Sequence, residues 1–193
     1  RQDGTRTGIS SPAMIVFPHA KINLGLYVLR LRKDGYRDIT SVLVPIPLHD
    51  VLEVIIDDGL PLGEVIMTRS GTPVPGDPNT DLCLRAVKAI AALYPLPGLR
   101  IHLHKNIPIG AGLGGGSSDG AFMLSALNTL LKLDLSPEEL HRLAASLGSD
   151  CPFFLRPYAQ LATGRGEILQ RIDLDLTGWW LVLIAPGVHV NTA

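Results

Sequence analysis

Eleven consecutive residues have the composition of a phosphate cradle: Pro108, Ile109, Gly110, Ala111, Gly112, Leu113, Gly114, Gly115, Gly116, Ser117 and Ser118. Five of the seven residues from 110 to 116 are glycine. Glycine tolerates positive φ and lets main-chain N–H groups approach a ligand with no Cβ in the way, at an entropic cost that a loop without a task gains nothing by. The segment lies between a strand pattern and a helix pattern expected to begin near Ser118. The first turn of such a helix adds unpaired N–H donors and about half a positive charge, so loop and helix together suit a polyphosphate. The hydroxyls of Ser117 and Ser118 are candidates for phosphate oxygens or a magnesium ion. The bland alternative is a tight strand-to-helix connection with no ligand. Two other phosphate motifs fit poorly. Ser117 follows Gly116 directly, without the lysine of a P-loop. Gly110, Gly112 and Gly115 have dinucleotide-fold spacing, yet Asp134 sits between two helical patterns rather than after a second strand.

Further candidates are scattered. Asp150 is a carboxylate that can take a proton or simply cap a helix. Lys21 is a cation on a strand, and Asn23, two residues on, shares its face. Tyr36 reads as a half-buried hairpin tyrosine, and Lys105 as an exposed lysine after a strand. His102 and His104 share a strand face, but no third ligand follows at metal-like spacing.

The elements that must position these groups read as follows. Ile22, Leu24, Leu26 and Val28 alternate with polar or small neighbours, Lys33-Asp34-Gly35 marks a turn, and a second strand runs through Ile39 and Val42. Strands are expected over 51–57 and 64–68, then a loop over 71–78. Leu82, Ala86, Ile90 and Leu93 recur at helical spacing, and 100–104 alternates again. A helix after the glycine loop carries Ala121, Leu124, Leu127 and Leu131 on one face. Ser136-Pro137-Glu138-Glu139 predicts another, stopped by Gly148. Returning strands are expected within 158–172 and over 179–185. This order predicts an α+β fold, a mixed sheet with helices on one face.

Composition narrows the function. With 46% hydrophobic and 18% charged residues, the chain is globular; a net charge of −1 leaves no basic surplus for nucleic acid. No apolar run reaches the roughly 20 residues of a membrane span. Two cysteines in 193 residues suit a reducing, cytoplasmic setting. Residues 1–13 read as a loose extension, 14–185 as one domain, and 186–193 as the start of a connection.

The loop followed by Asp119-Gly120-Ala121 resembles the signature of the GHMP kinases, the galactokinase, homoserine, mevalonate and phosphomevalonate kinase family. Ala20-Lys21-Ile22-Asn23-Leu24 with Asp34-Gly35-Tyr36, and Leu147-Gly148-Ser149-Asp150-Cys151-Pro152-Phe153, resemble that family's opening hairpin and catalytic segment in its cytidyl-substrate branch. The resemblance implies an N-terminal ATP-binding domain of ribosomal-protein-like fold, with the family's C-terminal domain absent and little turnover from this part alone. It implies ATP as co-substrate with Mg2+, and a small cytidyl alcohol as acceptor. Carried over by position, Asp150 is the base and Lys21 its partner; Lys105 reaches the adenine region; residues 108–118 hold the phosphates; Asn23, Tyr36 and Arg37 meet the substrate. Arg37 stands where the family usually has histidine, and Asp81-Leu82 where it has Asn-Leu. A kinase for another alcohol, or a non-catalytic nucleotide-binding domain, remains the alternative.

Overall fold

The computed structural model describes residues 12–75, 77 and 80–185, so the segments 1–11 and 186–193 lie outside the described residues. Among the described residues, eight strands form two four-stranded sheets. The first has the order β1 (Ala13–Val16), β4 (Val51–Ile56), β6 (Leu99–Lys105), β5 (Val65–Gly71). Its β5–β6 pair is parallel and the other two pairs are antiparallel, so the expected mixed sheet is present. The second sheet is antiparallel throughout: β2 (His19–Leu31), β3 (Arg37–His49), β7 (Gln160–Thr163), β8 (Ile168–Arg171).

Three helices cover the first sheet. In α1 (Leu82–Ala91), Cys83, Ala86, Val87 and Ile90 form one buried stripe, and Asp81 caps the start by accepting from the N–H groups of Cys83 and Leu84. The expected capping box opens α3 (Pro137–Leu147): Ser136 accepts from the Glu139 N–H, and the Glu139 carboxylate accepts from the Ser136 N–H. Between them, α2 (Gly115–Leu130) buries Met123, Leu124 and Leu127 against Leu52, Val54, Leu99, Ile101 and Leu103 of the sheet. Phe153 and Phe154, in a 3-10 turn over Cys151–Leu155, close the same core.

Two expectations fail. α2 begins at Gly115, not near Ser118, so four residues of the supposed loop, Gly115 to Ser118, are its first turn. Glycine's low helix propensity hid this, while the tertiary contacts of the turn override it. Residues 179–185 form no strand; Trp180 is 95% exposed. A β-rich apolar run becomes a strand only where a ladder partner exists, and no described strand pairs with it. The 158–172 segment does fold back, as the β7–β8 hairpin.

Ile101 is 2% exposed at the centre of the larger core. Ile101→Ala should lower unfolding free energy by about 2–5 kcal/mol, read as a lower denaturation midpoint at unchanged slope.

Candidate active site

The glycine segment has a defined left-handed backbone at alternate positions. Gly110, Gly112 and Gly114 have φ of 71°, 74° and 71°, the left-handed region that the composition implied. The alternation turns Leu113 inward, to 5% exposure, into a small second core with Ala20, Ile46 and Ile107. The Leu113 carbonyl accepts from the Lys21 N–H at 2.9 Å, tying the loop to β2. Gly114 then caps α2. A Cβ there would lie 2.6 Å from Phe154 Cζ and 3.2 Å from Lys21 Cγ.

The first backbone bond of α2 runs from the Ser118 N–H to the Gly114 carbonyl at 2.9 Å. The N–H groups of Gly115, Gly116 and Ser117 therefore have no intrahelical acceptor, and a Cβ on Gly116 would meet nothing within 4 Å. Three open donors at a helix start, beside side-chain-free backbone, make this a candidate anion site. Ser117 is half-buried and its hydroxyl bonds the Cys151 thiol, whose pKa burial pushes up to about 11. The Ser118 hydroxyl differs: it is fully buried and without a partner, so it is turned away from any ligand in the cleft.

Behind this turn lies a charged cluster that sequence reasoning missed. Lys105 is only 3% exposed, and its ammonium bonds Asp50 and, at 2.6 Å, Asp119. Asp50 also accepts from the N–H groups of Asn106 at 2.6 Å and Ile107 at 2.9 Å, fixing the chain's path into the loop. Asp119 sits in the second turn of α2. A Cβ on Gly115 would come within 3.3 Å of the ammonium. Lys105 is thus not the exposed lysine that its position after a strand suggested. The signal was available: Leu99, Ile101, Leu103 and Lys105 alternate on the buried face of β6.

One ammonium cannot neutralise two carboxylates. Burial, with Asp50 adjacent, pushes the Asp119 carboxyl up to about 8 against the opposing pull of Lys105. Burial works against the Lys105 ammonium as well, but the two acids outweigh it and its pKa is raised.

A cleft of about 170 Å³ opens beside the turn, bordered by Arg69, Asp81, Leu82, Lys105, Gly116 and Asp119 among others. Asp81 is doubly engaged there, capping α1 and pairing with Arg69 at 2.7 Å. His102 and His104 lie elsewhere on β6; their rings bond the Thr68 and Ser70 hydroxyls at 2.8 Å.

On the other side of Gly114, Lys21 and Asp150 meet. Lys21 Nζ is 3.4 Å from Asp150 Oδ2 and donates to Asn23 Oδ1 at 2.7 Å. Asn23 donates to Ser41 Oγ, and Ser41 to the Gly25 carbonyl, both at 2.7 Å, so β3 orients the amide. Asp150 precedes the 3-10 turn yet makes no side-chain cap bond. Its carboxylate, 40% exposed, is left for Lys21 and solvent. His19, also missed, is buried against Phe122, Phe153 and Phe154, and burial lowers its pKa. Tyr36 is 56% exposed at the hairpin, with the Arg165 guanidinium 4.6 Å from its ring centre. Arg37 opens β3 and is exposed.

An α+β domain with an anion-binding helix start beside a lysine–aspartate pair is a phosphate-handling architecture. Residues 81–156 match the family described as GHMP kinases N terminal domain. The chain is 45% identical over 179 residues to a 4-diphosphocytidyl-2-C-methyl-D-erythritol kinase of Parabacteroides distasonis, covering 93% of this chain and 64% of that one. It is 46% identical over 180 residues to the enzyme of that name from Cytophaga hutchinsonii, covering 93% and 65%. A crystal structure of 4-(cytidine 5'-diphospho)-2C-methyl-D-erythritol kinase superposes with a TM-score of 0.67 at 38% identity, over 84% of this chain and 56% of that one. Over the parts these matches cover, the chain is similar to the GHMP kinases. It spans a little under two thirds of the length of these curated relatives.

Two predictions follow from the loop and the cluster. Gly112→Ala, with free space but φ of 74°, should cost about 1–2 kcal/mol; Gly114→Ala adds the Phe154 clash and should cost clearly more, both by chemical denaturation. Between about pH 4 and 8 the unfolded chain releases a proton that folded Asp119 keeps. Stability should therefore fall with rising pH across that window, by up to about 1.4 kcal/mol per unit, and level off above it. Asp119→Asn should flatten the melting temperature between pH 6 and 8.

Proposed function

We propose that this chain is the nucleotide-binding and catalytic part of a kinase that transfers the γ-phosphoryl group of ATP to the 2-hydroxyl of 4-diphosphocytidyl-2-C-methyl-D-erythritol, in non-mevalonate isoprenoid precursor biosynthesis. The observation that carries the reading is the meeting of Lys21 and Asp150 at 3.4 Å across Gly114 from the open amides of α2. The relatives carrying that name supply the substrate.

The triphosphate is held by the N–H groups of Gly115, Gly116 and Ser117, and the nucleoside lies in the cleft bordered by Asp81 and Leu82. Mg2+, if bound, would supply neutralisation of phosphate charge, and the half-buried Ser117 hydroxyl is the serine that would hold it, Ser118 being buried. Asp150 takes the proton of the acceptor hydroxyl as that oxygen bonds to the γ-phosphorus and the bond to the β–γ bridging oxygen breaks, releasing ADP. Lys21, 3.4 Å from Asp150, offsets charge on the moving group. Asn23 orients the acceptor, while Tyr36 offers its ring to the cytosine and Arg37 its donors to the acceptor edge of the base.

Calorimetric titration with adenylyl imidodiphosphate and Mg2+ tests the reading. The unsubstituted chain should bind. Gly116→Ala, an unstrained change with open space around it, should leave the melting temperature within about 2 °C. It should nevertheless weaken binding about tenfold or more, because the added methyl stands where phosphate approaches. Unchanged affinity would remove the phosphates from this turn. In the catalytically active protein, Asp150→Asn should abolish transfer and keep nucleotide affinity.

A further inference from the structure

The β7–β8 turn runs beside the acceptor side of the site. Gly164 accepts from the Ile39 N–H at 2.7 Å, which ties the turn to the start of β3. Gly166 is buried with φ of 110°, and a Cβ there would lie 3.6 Å from Ile39 and 3.9 Å from Asp150 Oδ1. The residue between them, Arg165, lays its guanidinium 4.6 Å from the centre of the Tyr36 ring. One short turn therefore runs close to Asp150 and places a guanidinium on the exposed Tyr36 ring.

The donors of this guanidinium are not used up. Glu167 bonds the Arg165 main-chain N–H at 2.6 Å, while its contact with the side chain, at Nε, is 3.7 Å, beyond hydrogen-bond distance. A guanidinium stacked on a ring keeps its N–H groups in its own plane, free to take two phosphate oxygens at once. Stacking also restrains both side chains, so less freedom is lost when a ligand arrives. The segment is held by a backbone bond, a buried glycine and a carboxylate clamp, with only the arginine head presented outward.

Resting on the acceptor reading above, we propose that Arg165 is a substrate-positioning residue that recognises the diphosphate of the cytidyl substrate and holds the Tyr36 ring in place. The ligand class is a pyrimidine nucleoside diphosphate. The acceptor side then carries its own anion recognition, separate from the helix start that takes the triphosphate. Lys21 is committed to Asp150 and Asn23, which leaves Arg165 as the cation on Tyr36 with donors to spare.

Calorimetry on this chain with cytidine and with cytidine diphosphate, adenylyl imidodiphosphate being present to fill the helix-start site, tests the assignment. Arg165→Ala should weaken cytidine diphosphate binding about tenfold or more and cytidine no more than about threefold; Arg165→Lys, which keeps a point charge, should recover part of the difference. Raising salt should reduce diphosphate binding in the unsubstituted chain more than in Arg165→Ala. Because Arg165 is exposed, the melting temperature should hold within about 2 °C in both variants. Equal losses for the two ligands, or unchanged diphosphate affinity, would refute the role of Arg165 and leave the kinase reading standing. If the unsubstituted chain binds neither cytidine nor its diphosphate, the cytidyl acceptor itself is wrong and this inference goes with it.

Discussion

A single buried ammonium organises the side of this protein on which α2 begins. Lys105 ends the inward face of β6, where the three preceding inward residues are leucine or isoleucine. A charge so enclosed is tolerated only when paired and hydrogen-bonded, and both its partners come from other elements. Asp50 arrives from the β3–β4 junction and Asp119 from α2. The pairing therefore locks the sheet to the start of the helix whose amides face the cleft. The second carboxylate makes the cluster costlier than a simple pair, and burial, with Asp50 adjacent, raises the Asp119 carboxyl to about 8.

The same economy of movement runs through the glycine segment. A run so rich in glycine suggests mobility, yet here it is pinned at both edges: Leu113 in the small core with its carbonyl on Lys21, and Gly114 pressed on Phe154. The glycines are required for left-handed backbone at alternate positions and for close approach, not for flexibility. Pinning also fixes Gly114 against Lys21, so the anion site and the Lys21–Asp150 pair keep a set separation. A proximity of this kind lets two bound reactants meet without reorganising the protein at the moment of reaction.

Much of this was legible in advance where chemistry is local. The cap of α3, the Lys33–Gly35 turn and the alternation of β6 each depend on neighbours within a few residues, and each was found in the expected place; of the expected α1 stripe, Ala86 and Ile90 are buried, while Leu93 lies past the end of the helix and is exposed. The misreadings share a cause. The start of α2 was hidden because its first residues are glycines, helical only by virtue of what surrounds them. Residues 179–185 have every local mark of a strand, but a strand is half of a pair. Lys105 was judged by its charge, although its position on the buried face was written in the spacing.

The amino-acid order by itself determined most of the element types and the presence of left-handed glycines ahead of a helix start, because each follows from backbone sterics and periodicity within a short window. Only the tertiary structure decided which charges face one another. Lys21 meets Asp150 across 129 positions of sequence, Lys105 gathers Asp50 and Asp119, and Arg165 settles on Tyr36. Such pairings depend on how two sheets and three helices pack, since Coulomb attraction and desolvation act on distances in space and are blind to separation along the chain.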